Sequence, residues 1–141
     1  LSCPFSQSGR PGPVVLDFAK NAQVESFEYE PVDVDFIRSY VPVPDTDMTS
    51  LEEAAKMINS AKRPFALVGQ GVTLGNAQKE LLTFLEKADI PCGTTLLGLS
   101  DIPTSHRLNK GMLGMHGNLG PNVKTNECDV LIAIGMRFEE I

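Results

Sequence analysis

Two short, uninterrupted apolar runs constrain the fold of this chain more than any other feature. Residues 65–68 read Phe-Ala-Leu-Val, and residues 130–134 read Val-Leu-Ile-Ala-Ile. A run of strand length without polar alternation is typical of a strand covered on both faces, as in a parallel sheet. Amphipathic patterns of helical length flank the first run. This alternation predicts an α/β fold, in which a parallel sheet with right-handed crossovers carries helices on both faces.

Capping signals and apolar periodicity define the predicted helices. Ser50 and Glu53 form a capping-box pattern at the start of a first helix, and Asn76 is the predicted N-cap of a second helix. A strand at 90–95 follows, and an irregular region separates it from the last strand. The predicted buried side chains are Leu51, Ala54, Ala55 and Ile58 in the first helix, and Ala77, Leu81, Phe84, Leu85 and Ala88 in the second.

The chain is predicted to have three parts. Residues 1–20 contain a β-branched run at 14–18, which predicts a short strand. Residues 21–48 are acidic, contain several prolines and lack periodicity, so we expect an extended linker. Residues 49–141 hold the alternating strands and helices. Because the chain closes just after an apolar strand, we expect this domain to be incomplete at its C-terminus.

Composition argues against several classes of function. The 141 residues carry a formal net charge of -6, which disfavours binding to nucleic acid or to an anionic membrane surface. No apolar run approaches the roughly 20 residues of a membrane span and the first residues show no signal pattern, so we expect the protein to be cytoplasmic. Cys3, Cys92 and Cys128 lack metal-binding spacing, so we expect them to be reduced. The two histidines have no cluster of cysteines or carboxylates around them, so no metal site is predicted.

Glycines follow three of the predicted strands. They lie in the segments 69–71 (Gly-Gln-Gly), 94–99 (with Gly98) and 135–138 (Gly-Met-Arg-Phe). Ligands of open parallel sheets bind beyond the carboxyl ends of the strands, so we expect the three tips at one edge, around a nucleotide-type site. Backbone amides and Arg137 are the predicted phosphate contacts. The alternative is that the glycines only turn the chain. The spacing matches neither the dinucleotide fingerprint nor a P-loop.

Residues 111–117, Gly-Met-Leu-Gly-Met-His-Gly, suit neither a helix nor a strand. Glycines let a backbone approach a flat ligand closely, and methionines offer an adaptable apolar surface for a ring. The segment is therefore either an irregular, half-buried loop or a ligand contact, and His116 either touches the ligand or is hydrogen-bonded within the loop. No nucleophile-elbow motif surrounds the nearby Ser100, Asp101, Ser105 and His106, so a hydrolase triad is not predicted.

Taken in order and spacing, these motifs resemble those of acetohydroxyacid (acetolactate) synthase catalytic subunits, a thiamine diphosphate-dependent family. The matching stretches are residues 8–14, 69–71, 95–99, 111–117 and 135–138. The resemblance implies that residues 1–20 are the tail of an N-terminal pyrimidine-binding domain and that residues 49–141 are the central, FAD-binding domain. It also implies an enzyme of branched-chain amino-acid biosynthesis, which decarboxylates pyruvate and joins the two-carbon unit to a second 2-oxo acid.

The resemblance further implies cofactors and site residues. FAD is a structural cofactor of the central domain, whereas thiamine diphosphate and Mg are bound outside this chain, which holds no catalytic residue that we can name. Arg10 and Arg137 are expected on the phosphates, and Met115 and His116 on the flavin. The positions that match family flavin contacts are Arg10, Gly69, Gln70, Gly71, Thr95, Leu96, Leu97, Leu113, Gly114, Met115, His116, Gly135, Met136, Arg137 and Glu139.

One departure from the family pattern keeps alternatives open. The family usually continues Phe-Asp-Asp-Arg where residues 138–141 read Phe-Glu-Glu-Ile. The alternatives are the same domain of glyoxylate carboligase or of oxalyl-CoA decarboxylase, the latter carrying ADP instead, and a non-catalytic nucleotide-binding or interaction module. For the main reading, the implied partners are a small-molecule cofactor, further copies in a homo-oligomer and a regulatory subunit.

Overall fold

The computed structural model describes residue 6 and residues 11–30, 41 and 45–138. The chain divides into two compact units, residues 1–46 and residues 47–141. In the described part of the first unit, helix α1 spans Lys20–Val24, and the residues around it are exposed and irregular.

The predicted strand at 14–18 is wrong. Residues 11–19 form no strand, and the side chains of Val15 and Phe18 are 90% and 63% exposed. A strand needs a hydrogen-bonded neighbour and an apolar cover, and no described residue of this unit supplies them. Within the predicted linker, residues 21–24 belong to α1, and the described residues 25–30, 41 and 45–47 are irregular and exposed.

In the second unit, helices alternate along the chain with the strands of a four-stranded parallel sheet, which confirms the predicted α/β fold. The strands are β1 (Pro64–Val68), β2 (Cys92–Thr94), β3 (Asn109–Met112) and β4 (Val130–Ile134), in the spatial order β3-β2-β1-β4. The helices are α2 (Met48–Ser60), α3 (Gly71–Leu74), α4 (Gln78–Ala88) and α5 (Leu119–Glu127), and a 3-10 turn spans Leu96–Gly98.

Helices cover both faces of the sheet, as predicted. Val68 of β1 is fully buried in one cluster with Leu85 of α4. On the other face, a Cβ atom added to Gly93 of β2 would lie 3.0 Å from Pro121 of α5 and 3.2 Å from the ring of Phe65. Because alternate residues of a strand point to opposite faces, α4 and α5 lie on different sides of β1 and β2.

Both predicted helix starts are wrong, and each for a local reason. The first helix begins at Met48, because the carboxylate of Asp47 accepts a hydrogen bond from the amide of Thr49 at 3.0 Å. The Ser50 hydroxyl, the predicted cap, instead donates to Asp47 at 2.6 Å. Asn76 lies before α4 with φ of 51°, a left-handed conformation that asparagine tolerates in turns.

The predicted burial holds for the middle of the sheet and fails toward β4. Leu81 and Leu85 of α4 are buried, but Ala88 and the α2 positions Leu51, Ala54 and Ala55 are exposed, and Ile58 alone of that stripe is partly buried. β4 is half-exposed, although its sequence predicts cover on both faces. β4 is an edge strand of the described sheet, with β1 as its one described neighbour.

Five elements are absent from the sequence-based prediction: α1, α3, the 3-10 turn, β3 and α5. β3 and α5 both lie in the region predicted to be irregular, and the strand predicted at 90–95 shrinks to Cys92–Thr94. β3 reads Asn-Lys-Gly-Met, which has no apolar signal, and α5 contains Gly120 and Pro121 in its first turn. Tertiary pairing with β2 stabilises β3 where local propensity does not.

The cysteines that the structure describes are free thiols, in agreement with the expectation that they are reduced. Cys92 is fully buried in the core, and burial raises the pKa of its thiol to about 11. The thiol is therefore protonated and unreactive near neutral pH. Cys3 lies outside the described residues.

The long loop after β2 is tied to α3 by a buried carboxyl group. Asp101 is 2% exposed, and its Oδ1 accepts a hydrogen bond from the Thr73 hydroxyl at 2.6 Å. The second carboxyl oxygen is buried without a hydrogen-bond partner among the described residues. Asp101 is thus engaged with α3, and His106 pairs with Glu86 at 3.1 Å, so the polar cluster at 100–106 is not a hydrolase triad.

We expect Thr73→Val to lower the free energy of unfolding by about 1–3 kcal/mol, because it leaves both oxygens of a buried carboxyl group without a donor. Thr83→Val is the matched control, since the Thr83 hydroxyl donates to the Lys79 carbonyl of its own helix. Urea unfolding of both variants measures the difference. Equal losses in the two variants would show that the tie to Asp101 contributes nothing.

Asp129 joins the turn before β1 to the turn before β4. Its two carboxylate oxygens accept hydrogen bonds from the amides of Lys62, at 2.7 Å, and Arg63, at 2.9 Å. These two bonds lower the pKa of the Asp129 carboxyl below its ordinary value of 3.8. A group with a depressed pKa stabilises the folded state above its unfolded pKa, and this contribution is lost as the pH falls through the folded pKa.

Asp129→Asn should therefore lower the melting temperature at pH 5–7, and the gap to the wild type should close below a pH of about 3.8. The neighbouring, exposed Glu127→Gln is the control. Melting curves recorded from pH 7 to pH 2.5 test this. A gap that stays constant down to pH 2.5 would exclude the proposed linkage.

Candidate functional site

The carboxyl ends of all four strands form a continuous row. One residue beyond each of the first three strands continues the ladder: the amide of Leu113 donates to Thr94 at 3.0 Å, that of Thr95 to Val68 at 2.8 Å, and that of Gly69 to Ile134 at 2.9 Å. Gly135 follows at the end of β4. We call Leu113, Thr95, Gly69 and Gly135 the carboxyl row; at ordinary strand spacing it is about 14 Å long.

The row confirms that the glycine tips share one edge of one parallel sheet. A Cβ atom on Gly98 would lie 2.6 Å from the Val68 carbonyl oxygen, and one on Gly69 would lie 2.7 Å from the Gly135 oxygen. Four of the sequence-predicted site positions, and the loops that carry most of the others, are thereby brought together at this edge.

The strand order reverses at the contact between β1 and β4. The chain runs from β1 outward to β2 and β3, and then returns to place β4 on the other side of β1. In open α/β sheets such a switch point forms a crevice in which ligands bind. Here the two loops that flank it touch, since the Gly71 amide donates to the Gly135 carbonyl at 2.7 Å.

Close approach of these two tips explains their glycines. A Cβ atom on Gly71 would lie 2.6 Å from the Gly135 Cα, and Gly135 itself has a left-handed φ of 62°. No side chain fits at either position. The glycines are therefore required by backbone packing, which was the alternative to a phosphate-binding role.

Five backbone amides at this edge already have partners within the domain. The amides of Leu113, Thr95, Gly69, Gly98 and Gly71 all donate to backbone carbonyls within the domain. A donor that is already bonded inside the fold cannot also neutralise a phosphate without breaking that bond. Any anion at this edge must rely on side chains or on other amides.

Apolar side chains stand exposed along the same edge. Leu96 and Leu97 of the 3-10 turn are 67% and 56% exposed, and Met115 is 94% exposed. His116 beside Met115 is exposed, as is Arg137, whereas Gln70 and Met136 are half-buried. Exposed apolar groups gathered at one end of a sheet are typical of a surface that a ligand or a partner covers.

The segment 111–117 is partly a strand and partly a turn. Gly111 and Met112 end β3, which corrects the prediction that the whole segment avoids regular structure, and residues 113–117 form an irregular loop. A Cβ atom on Gly117 would lie 2.5 Å from the Met112 carbonyl oxygen, so the loop doubles back closely on the strand.

Asparagines hold this loop, and the sequence-based prediction missed them. The side chains of Asn109, Asn118 and Asn122 accept hydrogen bonds from the amides of Gly111, Met112 and Gly114, at 2.8, 3.1 and 2.9 Å. The signal that could have found them is the run of asparagines on either side of a glycine-rich segment, since asparagine side chains commonly satisfy turn backbones.

Two of the predicted site residues, Arg10 and Glu139, lie outside the described residues. The contacts expected of them stay predictions. A shallow cavity of about 230 Å³ lies at the opposite, amino edge of the sheet, between residues such as Arg63, Pro91 and Lys124. It contains none of the predicted site residues.

Within the described ranges, no group of three or more His, Cys, Asp or Glu side chains is arranged to hold a metal ion. The same ranges contain no helix that is long and apolar enough to cross a membrane.

Comparisons with known proteins agree with the architecture. The sequence profile of the family "Thiamine pyrophosphate enzyme, central domain" matches residues 51–141. An X-ray structure of a Mycobacterium smegmatis enzyme, assigned as thiamin diphosphate-dependent, superposes with a TM-score of 0.56 at 26% identity, over 70% of this chain and 19% of that one.

Relatives of known name cover almost the whole chain. A probable acetolactate synthase large subunit of Methanocaldococcus jannaschii is 42% identical over 96% of this chain and 24% of its own length. The isozyme 1 large subunit of acetolactate synthase from Escherichia coli K12 is 41% identical, with the same coverage of 96% and 24%. The chain thus spans about a quarter of the length of these relatives. It belongs to the family of thiamine pyrophosphate enzyme central domains.

Proposed function

We propose that this chain is the central domain of an acetolactate synthase-like enzyme and that its carboxyl edge binds FAD. The whole enzyme would condense pyruvate with a second 2-oxo acid, with loss of CO2, and would hold thiamine diphosphate and Mg outside the residues of this chain. The names of the relatives support the reaction. The order and spacing of the motifs along the chain support the cofactor.

The observation that carries the proposal is the carboxyl row at the switch point. Four strand ends stand side by side, and the strand order reverses between β1 and β4. Because the tips of these two strands touch, a ligand would lie across the edge rather than between them. An extended dinucleotide suits such a surface, since it can spread its contacts over several neighbouring strand ends.

The side chains at this edge support separate contacts for the ring and for the phosphates of the dinucleotide. Leu96, Leu97 and Met115 offer exposed apolar surface for a flat ring, and His116 adjoins them in the sequence. Arg137 follows β4 and would pair with a phosphate, for which the guanidinium fork is well shaped. FAD in this place would act as a structural cofactor, so these residues would bind and orient it without taking part in a redox step.

Arg137→Ala should weaken FAD binding about tenfold, because a charge-assisted hydrogen bond contributes roughly that factor. Lys62→Ala, at the amino edge of the sheet, is the matched loss of a cation and should leave affinity unchanged. Titration of the full-length protein with FAD, followed by flavin fluorescence, measures both. A second titration, with ADP, tests the alternative that this domain binds ADP instead of FAD. Binding of neither nucleotide would contradict the proposed cofactor site.

The 141-residue chain alone should form no acetolactate from pyruvate, thiamine diphosphate and Mg. The chemistry of this reaction belongs to the thiamine cofactor, and we identify no residue in this chain that would ionise or anchor it. Colorimetric detection of acetoin, after acid decarboxylation of the product, provides the assay, with a heat-inactivated sample as control. Product above that control would place the thiamine site within these residues.

A further inference from the structure

We infer that Asn122 is a positioning residue, which holds Met115 and His116 at the carboxyl edge by pairing with the backbone of Gly114. This inference rests on the proposed function, because it assigns a role toward the ligand of that site. Asn122 lies on α5 and is half-buried. It is not among the residues that the motifs select as flavin contacts.

The pairing is reciprocal. Asn122 Oδ1 accepts a hydrogen bond from the Gly114 amide at 2.9 Å, and Asn122 Nδ2 donates to the Gly114 carbonyl oxygen at 2.9 Å. A carboxamide carries the same donor and acceptor as a peptide group. The side chain therefore hydrogen-bonds the amide and the carbonyl of Gly114 as a neighbouring strand would, although no strand lies there in the described sheet.

Gly114 needs such a tether because packing does not supply one. Its φ is 113°, a region that L side chains rarely adopt, and no residue other than its two chain neighbours comes within 4 Å of the position that a Cβ would occupy. Glycine also loses more conformational freedom on ordering than any other residue. Two hydrogen bonds from a helix offset part of that cost.

The tether extends to the turn that follows. The Gly114 carbonyl oxygen also accepts a hydrogen bond from the Gly117 amide at 3.0 Å, which closes a turn around Met115 and His116. Met115 is 94% exposed and so has little packing of its own. The place of this turn is therefore set at its base, where Asn122 contacts Gly114.

A second asparagine holds the chain in register. Asn118, directly before α5, accepts from the Met112 amide at 3.1 Å through its side chain and donates to the Met112 carbonyl at 2.7 Å through its backbone. Residues four apart on a helix are separated by about 6 Å along its axis. Residues two apart in an extended chain are separated by about 6.6 Å. The two spacings match, so Asn118 can pair with Met112 while Asn122, four residues later, pairs with Gly114.

The role is specific to asparagine at position 122. Aspartate would place an oxygen opposite the Gly114 carbonyl oxygen, and repulsion between the two oxygens would move Gly114 away, so the bond from the Gly114 amide would be weakened as well. Alanine would remove both bonds. Because a ligand binds more tightly to a segment that is already ordered, loss of the tether should weaken binding through the disorder of Gly114 and the turn that follows it.

The experiment compares Asn122→Ala and Asn122→Asp with Asn126→Ala in the full-length protein. Asn126 lies one turn along the same helix, and its side chain donates to the Asn122 backbone carbonyl at 3.1 Å. Amide hydrogen exchange of Gly114 in the ligand-free protein reports the tether. FAD affinity, measured by flavin fluorescence, reports its consequence, and the urea midpoint reports global stability.

We expect Gly114 to exchange at least tenfold faster in both Asn122 variants than in Asn126→Ala, and FAD to bind about tenfold more weakly. Aspartate has the shape of asparagine, so a role in packing alone would leave exchange in Asn122→Asp unchanged. Unchanged exchange in both variants would overturn the tether.

The remaining outcomes separate the tether from the cofactor. Faster exchange with unchanged FAD affinity would overturn the positioning role. Failure of the wild type to bind FAD would contradict the proposed cofactor and, with it, the positioning role toward that ligand, while the exchange data would still decide whether Asn122 tethers Gly114.

Discussion

The pairing of β1 with β4 is the contact on which the rest of this domain depends. Five residues of each strand stand in register, from Pro64 opposite Val130 to Val68 opposite Ile134. The Asp129 carboxylate closes the pairing at the amino end, and the contact between Gly71 and Gly135 closes it at the carboxyl end. Because β2 and β3 build outward from β1, this pairing determines which loops meet at the candidate site.

The same pairing limits how a ligand can bind. Ladder bonds extend one residue past three of the strands, so they use amides that a phosphate would otherwise bind. The edge keeps the exposed side chains of Leu96, Leu97, Met115 and Arg137, and amides other than these, as groups that a ligand could meet. Glycines at strand tips therefore indicate close backbone packing here, and they do not by themselves indicate a phosphate.

The sequence predicts those parts of the fold in which the burial of a residue follows from the local pattern of apolar and polar residues. The apolar run at 65–68 predicts a buried central strand, and the helix stripe around Leu81 and Leu85 is buried as expected. β4 has the same signal, but its half-exposure follows from its place in the sheet, which no local pattern encodes. β3 has no apolar signal at all. The site repeats this pattern: the glycine tips can be located from the sequence, but the pairing of Asn122 with Gly114 joins residues whose relation depends on the docking of α5.

The outer side of β4 has a consequence for handling this unit as a separate protein. The strand reads Val-Leu-Ile-Ala-Ile, without a charge or a proline to discourage a neighbour, and within the described residues its outer edge is unpaired. Natural sheets protect such edges with lysine, proline or a bulge. The apolar side chains of Leu51 and Met57 on α2 are exposed as well. The described edge of β4 is therefore of the kind to which a further strand adds, and we expect the isolated unit to self-associate through β4 unless another segment covers that edge.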